Sequence, residues 1–96
     1  MADRPLPIFR SQDYSFFQST VAELPKGYIN WFDKHRREMR RLIRLGERPV
    51  EVMVEPGAFD EFCHAHNCAR NLKALEDFVI EKAAAVQTEA RFRAEP

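Results

Sequence analysis

The sequence has little of what small catalytic sites are built from. Its three glycines are isolated from one another: Gly27, Gly46 and Gly57. Isolated glycines cannot form the loop that cradles a phosphate. The three serines, at positions 11, 15 and 19, are distant in sequence from every histidine, and no acid pair stands out. The sequence therefore predicts a protein that is not an enzyme and carries no cofactor.

Long apolar runs are also lacking. No stretch approaches the roughly 18 consecutive apolar residues that a membrane-spanning helix needs, so no membrane partner is expected. The N-terminal decapeptide MADRPLPIFR has an early aspartate and no apolar run, unlike a signal peptide. The two cysteines are therefore expected to be reduced thiols in a small, soluble, cytoplasmic protein. A hydrophobic share of 45% is enough for one small core.

A net charge is absent as well, because fifteen basic and fifteen acidic residues cancel. The two signs are unevenly distributed along the chain. Residues 26–49 carry eight basic and three acidic side chains, whereas residues 50–96 carry five basic and nine acidic ones. The chain is thus dipolar, with a basic middle and an acidic C-terminal half.

Hydrophobic periodicity predicts about four helices in one small domain over residues 11–90. This domain follows an extended, proline-bearing arm (1–10) and precedes a frayed tail (91–96). Apolar residues from Tyr14 to Leu24 recur at helical spacing and predict the first helix, which the sequence LPKG ends. A third helix is predicted over about 58–66 and a fourth from about 71 through at least 86.

The second helix has the strongest signal and is predicted from Tyr28 or Trp31 to Leu45. Asn30 and Asp33 are spaced like a capping box at its start, and Gly46 is suited to the left-handed position at its end. Its predicted buried stripe, on which His35 also falls, consists of Tyr28, Phe32, Met39, Leu42 and Ile43.

The segment RPVEVMVE alternates and predicts one short strand, Val50–Val54. Its valines point one way, and Glu51, Met53 and Glu55 point the other. A lone strand leaves its backbone groups unpaired. We therefore expect it to pair with the N-terminal arm at about Pro7–Arg10, or with the same strand of a second chain in a homodimer. The predicted fold class is α+β, mostly α.

The stretch FCHAHNC, residues 62–68, holds both cysteines and two of the three histidines. Four nitrogen and sulfur donors are the ligand set that zinc prefers. On a helix, however, Cys63 lies near His66 and His64 lies near Cys68, and the two pairs face apart. No second ligand pair exists elsewhere, so no metal is expected. These four residues remain the alternative, as metal ligands.

Packing offers another interpretation of the same stretch. Phe62 and Cys63 share one helical face, which is typical of core residues. Asn67 suits the left-handed position just past a helix end. Cys68 would then touch Cys63 or Phe62 in a Schellman-type cap. We expect two free thiols, with Cys63 buried and His64 in solvent.

The segment KHRREMRRLIR concentrates cationic side chains on helix 31–45. Arginine's planar fork matches carboxylates and phosphates. The predicted partner-binding residues are the arginines of this helix face: Arg36, Arg37, Arg40, Arg41 and Arg44. The alternative is a solvated face that neutralises the acidic residues of 50–96, within one chain or across a dimer. Tyr28 and Trp31 are expected in the core rather than as stacking platforms for bases.

The order of strand, helix, turn and helix within residues 48–86, RPVEVMVEPGAFDEFCHAHNCARNLKALEDFVIEKAA, resembles the ribbon-helix-helix family of dimeric DNA-binding regulators. The resemblance implies that strands of two chains pair into a ribbon that reads the major groove. The outward strand residues would be Glu51, Met53 and Glu55, whose carboxylates repel phosphate, and the first helix is about a turn short. A dimeric, nucleic-acid-associated regulator is therefore the alternative function.

The preferred function is a small regulatory binding module that engages an acidic protein surface through its basic helix. Duplex DNA would meet the acidic half of the chain as well as the basic middle, which weakens non-specific attraction. A protein partner can match both signs over one interface.

Overall fold

The computed structural model describes the backbone of residues 3–94 and the side chains of residues 3–85. Along this part of the chain the elements are β1 (Asp3–Ile8), a 3-10 turn (Ser11–Asp13), α1 (Tyr14–Thr20), α2 (Tyr28–Arg44), β2 (Arg48–Met53), α3 (Pro56–Ala65) and α4 (Leu72–Ala94). The prediction of a mostly helical α+β fold with about four helices is confirmed.

The two strands form a parallel sheet. The register runs from Asp3 opposite Arg48 to Ile8 opposite Met53. Of the two predicted pairings, the structure has the one with the N-terminal arm, although the paired segment begins earlier than Pro7–Arg10. Parallel strands need a long connection, and α2 supplies it.

The hydrogen-bonding phase of β1 explains why a strand with two prolines is tolerated. The N–H of Val54 donates to the carbonyl of Ile8 at 2.9 Å, so the peptide groups of Ile8 face β2. Because the peptide groups of successive residues point to opposite edges of a strand, the nitrogens of Pro5 and Pro7 face away from β2. The two missing N–H donors therefore lie on the outer edge of the sheet, where strands accept proline.

The sheet has a different helical neighbour on each face. Val52 and Val54 point into the main core, which also contains Val21, just past the end of α1, and residues of α1, α3 and α4: Phe17, Phe59, Cys63, Leu75, Phe78 and Val79. Glu51 points to the opposite face, where it meets His35 of α2. The alternation predicted for residues 48–55 is therefore confirmed.

Helix α1 is one turn shorter than predicted. It ends at Thr20, and Val21 adopts an extended conformation (φ −112°, ψ 100°) while staying fully buried. The hydroxyl groups of Ser19 and Thr20 both donate to the carbonyl of Phe16, at 2.8 and 2.6 Å. Such bonds compete with continuation of a helix. Leu24 therefore reaches the core from a turn rather than from the helix.

The predicted capping box of α2 is wrong, whereas its predicted terminator is confirmed. The helix begins at Tyr28 after Gly27 (φ 87°), so Asn30 already lies inside the first turn and donates to the carbonyl of Lys26 at 2.7 Å. At the other end Gly46 has φ 79°. Glu47 N–H donates there to the carbonyl of Leu42 at 2.9 Å, the long bond of a Schellman cap.

The buried stripe of α2 is rotated from its predicted position. Trp31, His35 and Leu42 are the buried residues, whereas Phe32 and Ile43 are 41% and 60% exposed. The aromatic ring of Trp31 sets this rotation, since it packs into the cluster of Phe9 and Tyr14 at the end of β1. The sheet has only two strands, so it covers a narrow stripe of the helix.

Helices α3 and α4 start close to their predicted positions. Pro56 occupies the first turn of α3, where its missing N–H is not needed. The side chain of Asn71 accepts a bond from Ala74 N–H at 2.9 Å and caps α4. On α4, Leu75 and Val79 are buried. The side chain of Val86 and residues 95–96 of the tail predicted to fray lie outside the described residues, and the backbone is helical to Ala94.

Candidate protein-binding face of helix α2

The arginines predicted to bind a partner all lie exposed on α2: Arg36, Arg37, Arg40, Arg41 and Arg44. The side of α2 that faces the core is the stripe of Trp31, His35 and Leu42. At about 100° per residue, the arginines lie on the side of the helix that is turned away from this stripe, and so away from the sheet. The fold therefore presents the predicted residues together on one surface.

Two of these arginines are engaged within α2 itself. Arg41 forms two hydrogen bonds with the carboxylate of Glu38, at 2.6 and 3.1 Å. The hydrogen bond from Arg41 lowers the pKa of Glu38 and raises that of Arg41. The guanidinium carbon of Arg36 lies 5.9 Å from the centre of the Phe32 ring, within the range of a cation–π contact.

The other three arginines form a cationic stripe along the helix. Arg37, Arg40 and Arg44 are spaced by three and four residues, so they line up along two turns. Among the side chains of residues 3–85, no carboxylate lies within ion-pair distance of these three. Their charges are available to an outside partner.

The acidic half of the chain does not neutralise this stripe within the described side chains. Asp60 pairs with Arg70 at 2.6 Å, and Asp77 lies 3.7 Å from Lys73. Glu51 instead lies 3.2 Å from the imidazole nitrogen of His35. Glu51, Asp60 and Asp77 thus have local partners, and no described side chain of 50–85 pairs with the stripe.

An exposed apolar strip borders the arginines. Ile29, Phe32 and Ile43 are 73%, 41% and 60% exposed. By helical position they lie between the buried stripe and Arg40, with Arg36 among them. Sequence reasoning placed Phe32 and Ile43 in the core, because periodicity alone cannot tell how much of an apolar face a two-stranded sheet covers. Apolar side chains beside arginine are typical of protein interfaces.

The aromatic residues at the start of α2 lie in the core, as predicted. Trp31 is 7% exposed, and its ring lies 5.1 Å from the Phe9 ring. The His35 ring stacks on it, 5.1 Å away and 18° from parallel. Tyr28 is half-buried, with its ring 5.4 Å from Trp31. Both rings therefore contribute to the packing at the start of α2.

The stretch FCHAHNC forms the predicted cap of α3. Asn67 has φ 50°, a left-handed conformation. Its N–H donates to the carbonyl of His64 at 3.2 Å, and the N–H of Cys68 donates to the carbonyl of Cys63 at 3.0 Å. These two bonds define a Schellman motif. Cys63 is 2% exposed, and Cys68 is exposed with its thiol hydrogen-bonded to that of Cys63.

Of the four residues considered as metal ligands, His66 lies apart from the other three. His64 is exposed beside Cys63 and Cys68, whereas His66 packs on the Phe62 ring at 4.2 Å and lies 3.5 Å from Glu81 of α4. No group of three or more His, Cys, Asp or Glu residues in the described part of the chain is placed to hold a metal ion.

The chemistry of the thiols follows from burial. Burial, and secondarily the hydrogen bond that its own thiol donates to Cys68, raises the pKa of Cys63 to about 11. At pH 7 roughly one Cys63 in ten thousand is then a thiolate, which is the nucleophilic form. Buried Cys63 is therefore a poor nucleophile at neutral pH.

Within residues 3–94, no helix combines the length and the apolar character needed to cross a membrane. Compared with known proteins, the chain matches no family model, no curated protein and no solved structure. Inferences about function therefore depend on the geometry of the chain itself.

Proposed function

We propose that this protein is a non-catalytic binding module that engages an acidic surface of a partner protein through the outer face of α2. The contact surface consists of the cationic stripe of Arg37, Arg40 and Arg44 together with the exposed apolar strip of Ile29, Phe32 and Ile43. The observation that carries the proposal is the adjacency, on one helix, of exposed apolar side chains and arginines that have no carboxylate partner among the described side chains.

The two parts of this surface contribute differently to binding. The apolar strip loses water on contact, at about 25 cal/mol for each Å² of apolar area buried. The arginines raise the association rate and select a partner of opposite charge, and Arg is enriched in the residues that dominate interface energies. A carboxylate-rich helix or loop with apolar residues between its acids has the matching chemistry.

A protein partner explains the surface better than nucleic acid does. Phosphates need cations but offer no apolar surface to Ile29 and Ile43. β2 pairs in parallel with β1 of its own chain, so a ribbon of the ribbon-helix-helix type would have to form on the other edge of β2. The acidic Glu51 lies on that strand. A nucleic-acid-associated regulator remains the alternative outcome of the experiment below.

The experiment compares two triple variants that remove the same charge. In the first, Arg37, Arg40 and Arg44 are replaced by Ser. In the control, three cations that have carboxylate partners elsewhere are replaced by Ser: Arg4, Arg70 and Lys73. Each protein is used to capture partners from cell extract, with and without nuclease, at several salt concentrations.

We expect the first variant alone to lose its captured protein, with no effect of nuclease. Material that disappears on nuclease treatment and shows a steep salt dependence favours the nucleic-acid alternative. Equal loss in both triple variants means that bulk charge, not the stripe, causes the capture, and it contradicts the proposal.

The apolar strip is tested separately with Ile43→Ser, with Leu42→Ser as a folding control. Ile43 is 60% exposed, so its replacement is expected to weaken capture while leaving the free energy of unfolding nearly unchanged. Leu42 is 3% exposed, and its replacement destabilises the fold. Unchanged capture by Ile43→Ser would restrict the surface to the arginines and contradict the apolar part of the proposal.

A further inference from the structure

The two edges of the sheet differ in their hydrogen-bonding capacity. On the outer edge of β1 the prolines Pro5 and Pro7 supply no donors. On β2, the phase set by the bond from Val54 to Ile8 turns the peptide groups of Glu51 and Met53 away from β1. Within the described residues, no acceptor other than solvent faces those two N–H groups. β2 is therefore the edge that can accept a further strand.

One group on this edge is already satisfied. The carbonyl of Met53 accepts a hydrogen bond from the ammonium group of Lys82 at 3.0 Å. Pro49, at the other end of the edge, has a carbonyl but no N–H. The open groups are thus the N–H of Met53, both groups of Glu51 and the carbonyl of Pro49, which match about three residues of an incoming strand.

Two cavities flank this edge, one on each face of the sheet, and Glu51 and Met53 line both. The first, of about 440 Å³, lies under α2 and is bordered by aromatic side chains: Phe9, Tyr28, Trp31 and Phe32. The second, of about 320 Å³, lies beside α4 and is mainly apolar, with Val50, Val52 and Ala83 in its wall. Alternate side chains of an added strand point to opposite faces, so they reach the two cavities in turn.

The aromatic cavity contains a carboxylate, which lies 3.2 Å from the imidazole of His35 in the same wall. Glu51 is the carboxylate in its wall, and its side chain is 47% exposed. Arg10, which also lines the cavity, is held 2.9 Å from Asp13. Aromatic rings beside a carboxylate bind Lys or Arg through cation–π attraction and an ion pair together.

We propose that the outer edge of β2 binds an extended peptide segment of a partner protein, with a Lys or Arg side chain in the aromatic cavity and an apolar neighbour in the cavity beside α4. This is strand addition to an open sheet edge, in which backbone bonds supply affinity and alternate pockets supply specificity. The two surfaces share Phe32 but none of the arginines of α2, and strand addition to β2 does not depend on the function proposed for those arginines.

A second copy of this chain fits the edge less well than such a peptide. Antiparallel pairing centred on Glu51 sets the two Glu51 carboxylates directly opposite each other on one face, which is destabilising. The same pairing places Pro49, without an N–H, in a hydrogen-bonded position on each chain. A peptide with a cation at the central position removes the repulsion.

The test uses an acetylated and amidated peptide, SVRVS, and its glutamate counterpart, SVEVS. Binding is followed by the backbone amide resonances of the isotope-labelled protein. We expect SVRVS to shift the resonances of Glu51 and Met53 most and to slow their amide exchange. The glutamate peptide is expected to bind at least tenfold more weakly.

Protein variants separate the pocket from general charge. Glu51→Gln is expected to weaken SVRVS binding at least fivefold, whereas Glu55→Gln removes the same charge outside both cavities and is expected to leave binding unchanged. Largest shifts on β1 or α2, equal binding of the two peptides, or equal effects of the two variants would each overturn the proposal. Light scattering that shows a dimer dissociated by Glu51→Lys substitution would likewise overturn it, since the edge would then belong to a second copy.

Discussion

The N–H of Cys68 donates to the carbonyl of Cys63 at 3.0 Å, and this bond closes the end of α3. It is formed because the residue between the helix and Cys68, Asn67, adopts a left-handed conformation with φ 50°. The same turn brings the exposed thiol of Cys68 onto the buried thiol of Cys63. Asn67 thus determines both the helix end and the environment of Cys63.

Replacement of Asn67 tests this role. Asn67→Ala is expected to lower the free energy of unfolding by about 1–2 kcal/mol, because a side chain with a Cβ atom is disfavoured in the left-handed region and alanine lacks the polar group that compensates in asparagine. Asn67→Gly is expected to be neutral or slightly stabilising. Urea unfolding followed by circular dichroism measures both. A destabilisation of equal size in the two variants would show that the Asn67 side chain, not its backbone conformation, is what matters.

The raised pKa of Cys63 predicts a loss of stability in alkali. Its pKa is raised from 9.0 to about 11 in the folded protein, so the unfolded chain releases this proton first as the pH rises. The contribution of the Cys63 thiol to the free energy of unfolding is complete below about pH 9 and is lost between pH 9 and 11. Two pKa units correspond to at most about 3 kcal/mol.

Cys63→Ala provides the control for this pH dependence. Burial also raises the pKa of Tyr14, so other groups add slope in alkali. The difference in the free energy of unfolding between wild type and Cys63→Ala reports the effect of the thiol alone. This difference is expected to shrink as the pH rises from 9 to 11. A difference that stays constant over this range contradicts the assignment. Free energies of unfolding from urea titrations at each pH are the measurement.

The stacked pair of His35 and Trp31 predicts how the centre of α2 responds to substitution. His35 is 8% exposed, so His35→Ala leaves a cavity and is expected to cost about 2–4 kcal/mol. His35→Phe keeps the ring stack and is expected to cost less than about 1.5 kcal/mol. Trp31 is the only tryptophan, so its fluorescence reports unfolding directly. An equal decrease in the free energy of unfolding in the two variants would show that the contact between His35 and Glu51, and not the ring stack with Trp31, stabilises the fold.

Local signals in the sequence predicted the elements that depend on local physics. The alternation of RPVEVMVE, the left-handed positions of Gly46 and Asn67 and the arginine-rich side of α2 each depend on a few consecutive residues. The strand's need for a partner also followed from its unpaired backbone groups. These features are all present in the structure.

The errors arose where tertiary contacts decide the outcome. Phe32 and Ile43 have the periodicity of core residues, but the sheet they face is too narrow to cover them. The contact between His35 and Glu51 depends on the parallel pairing of β1 with β2, which periodicity does not specify. The open edge of β2 was hidden for the same reason, since only the pairing phase reveals which N–H groups remain outside.

The hydrogen-bonding phase between β1 and β2 predicts the pattern of amide exchange along β2. The N–H groups of Val52 and Val54 face β1 and are expected to exchange slowly, whereas those of Glu51 and Met53 face outward and are expected to exchange at least tenfold faster. A shift of the register by one residue reverses which N–H groups of β2 face β1. The measurement is native-state hydrogen exchange by NMR at a pH and temperature where the free chain exchanges in seconds. Slow exchange at Glu51 and fast exchange at Val52 contradicts the register. Slow exchange at all four positions shows that another strand already occupies the edge, and dilution of the protein then tells whether that strand belongs to a second copy.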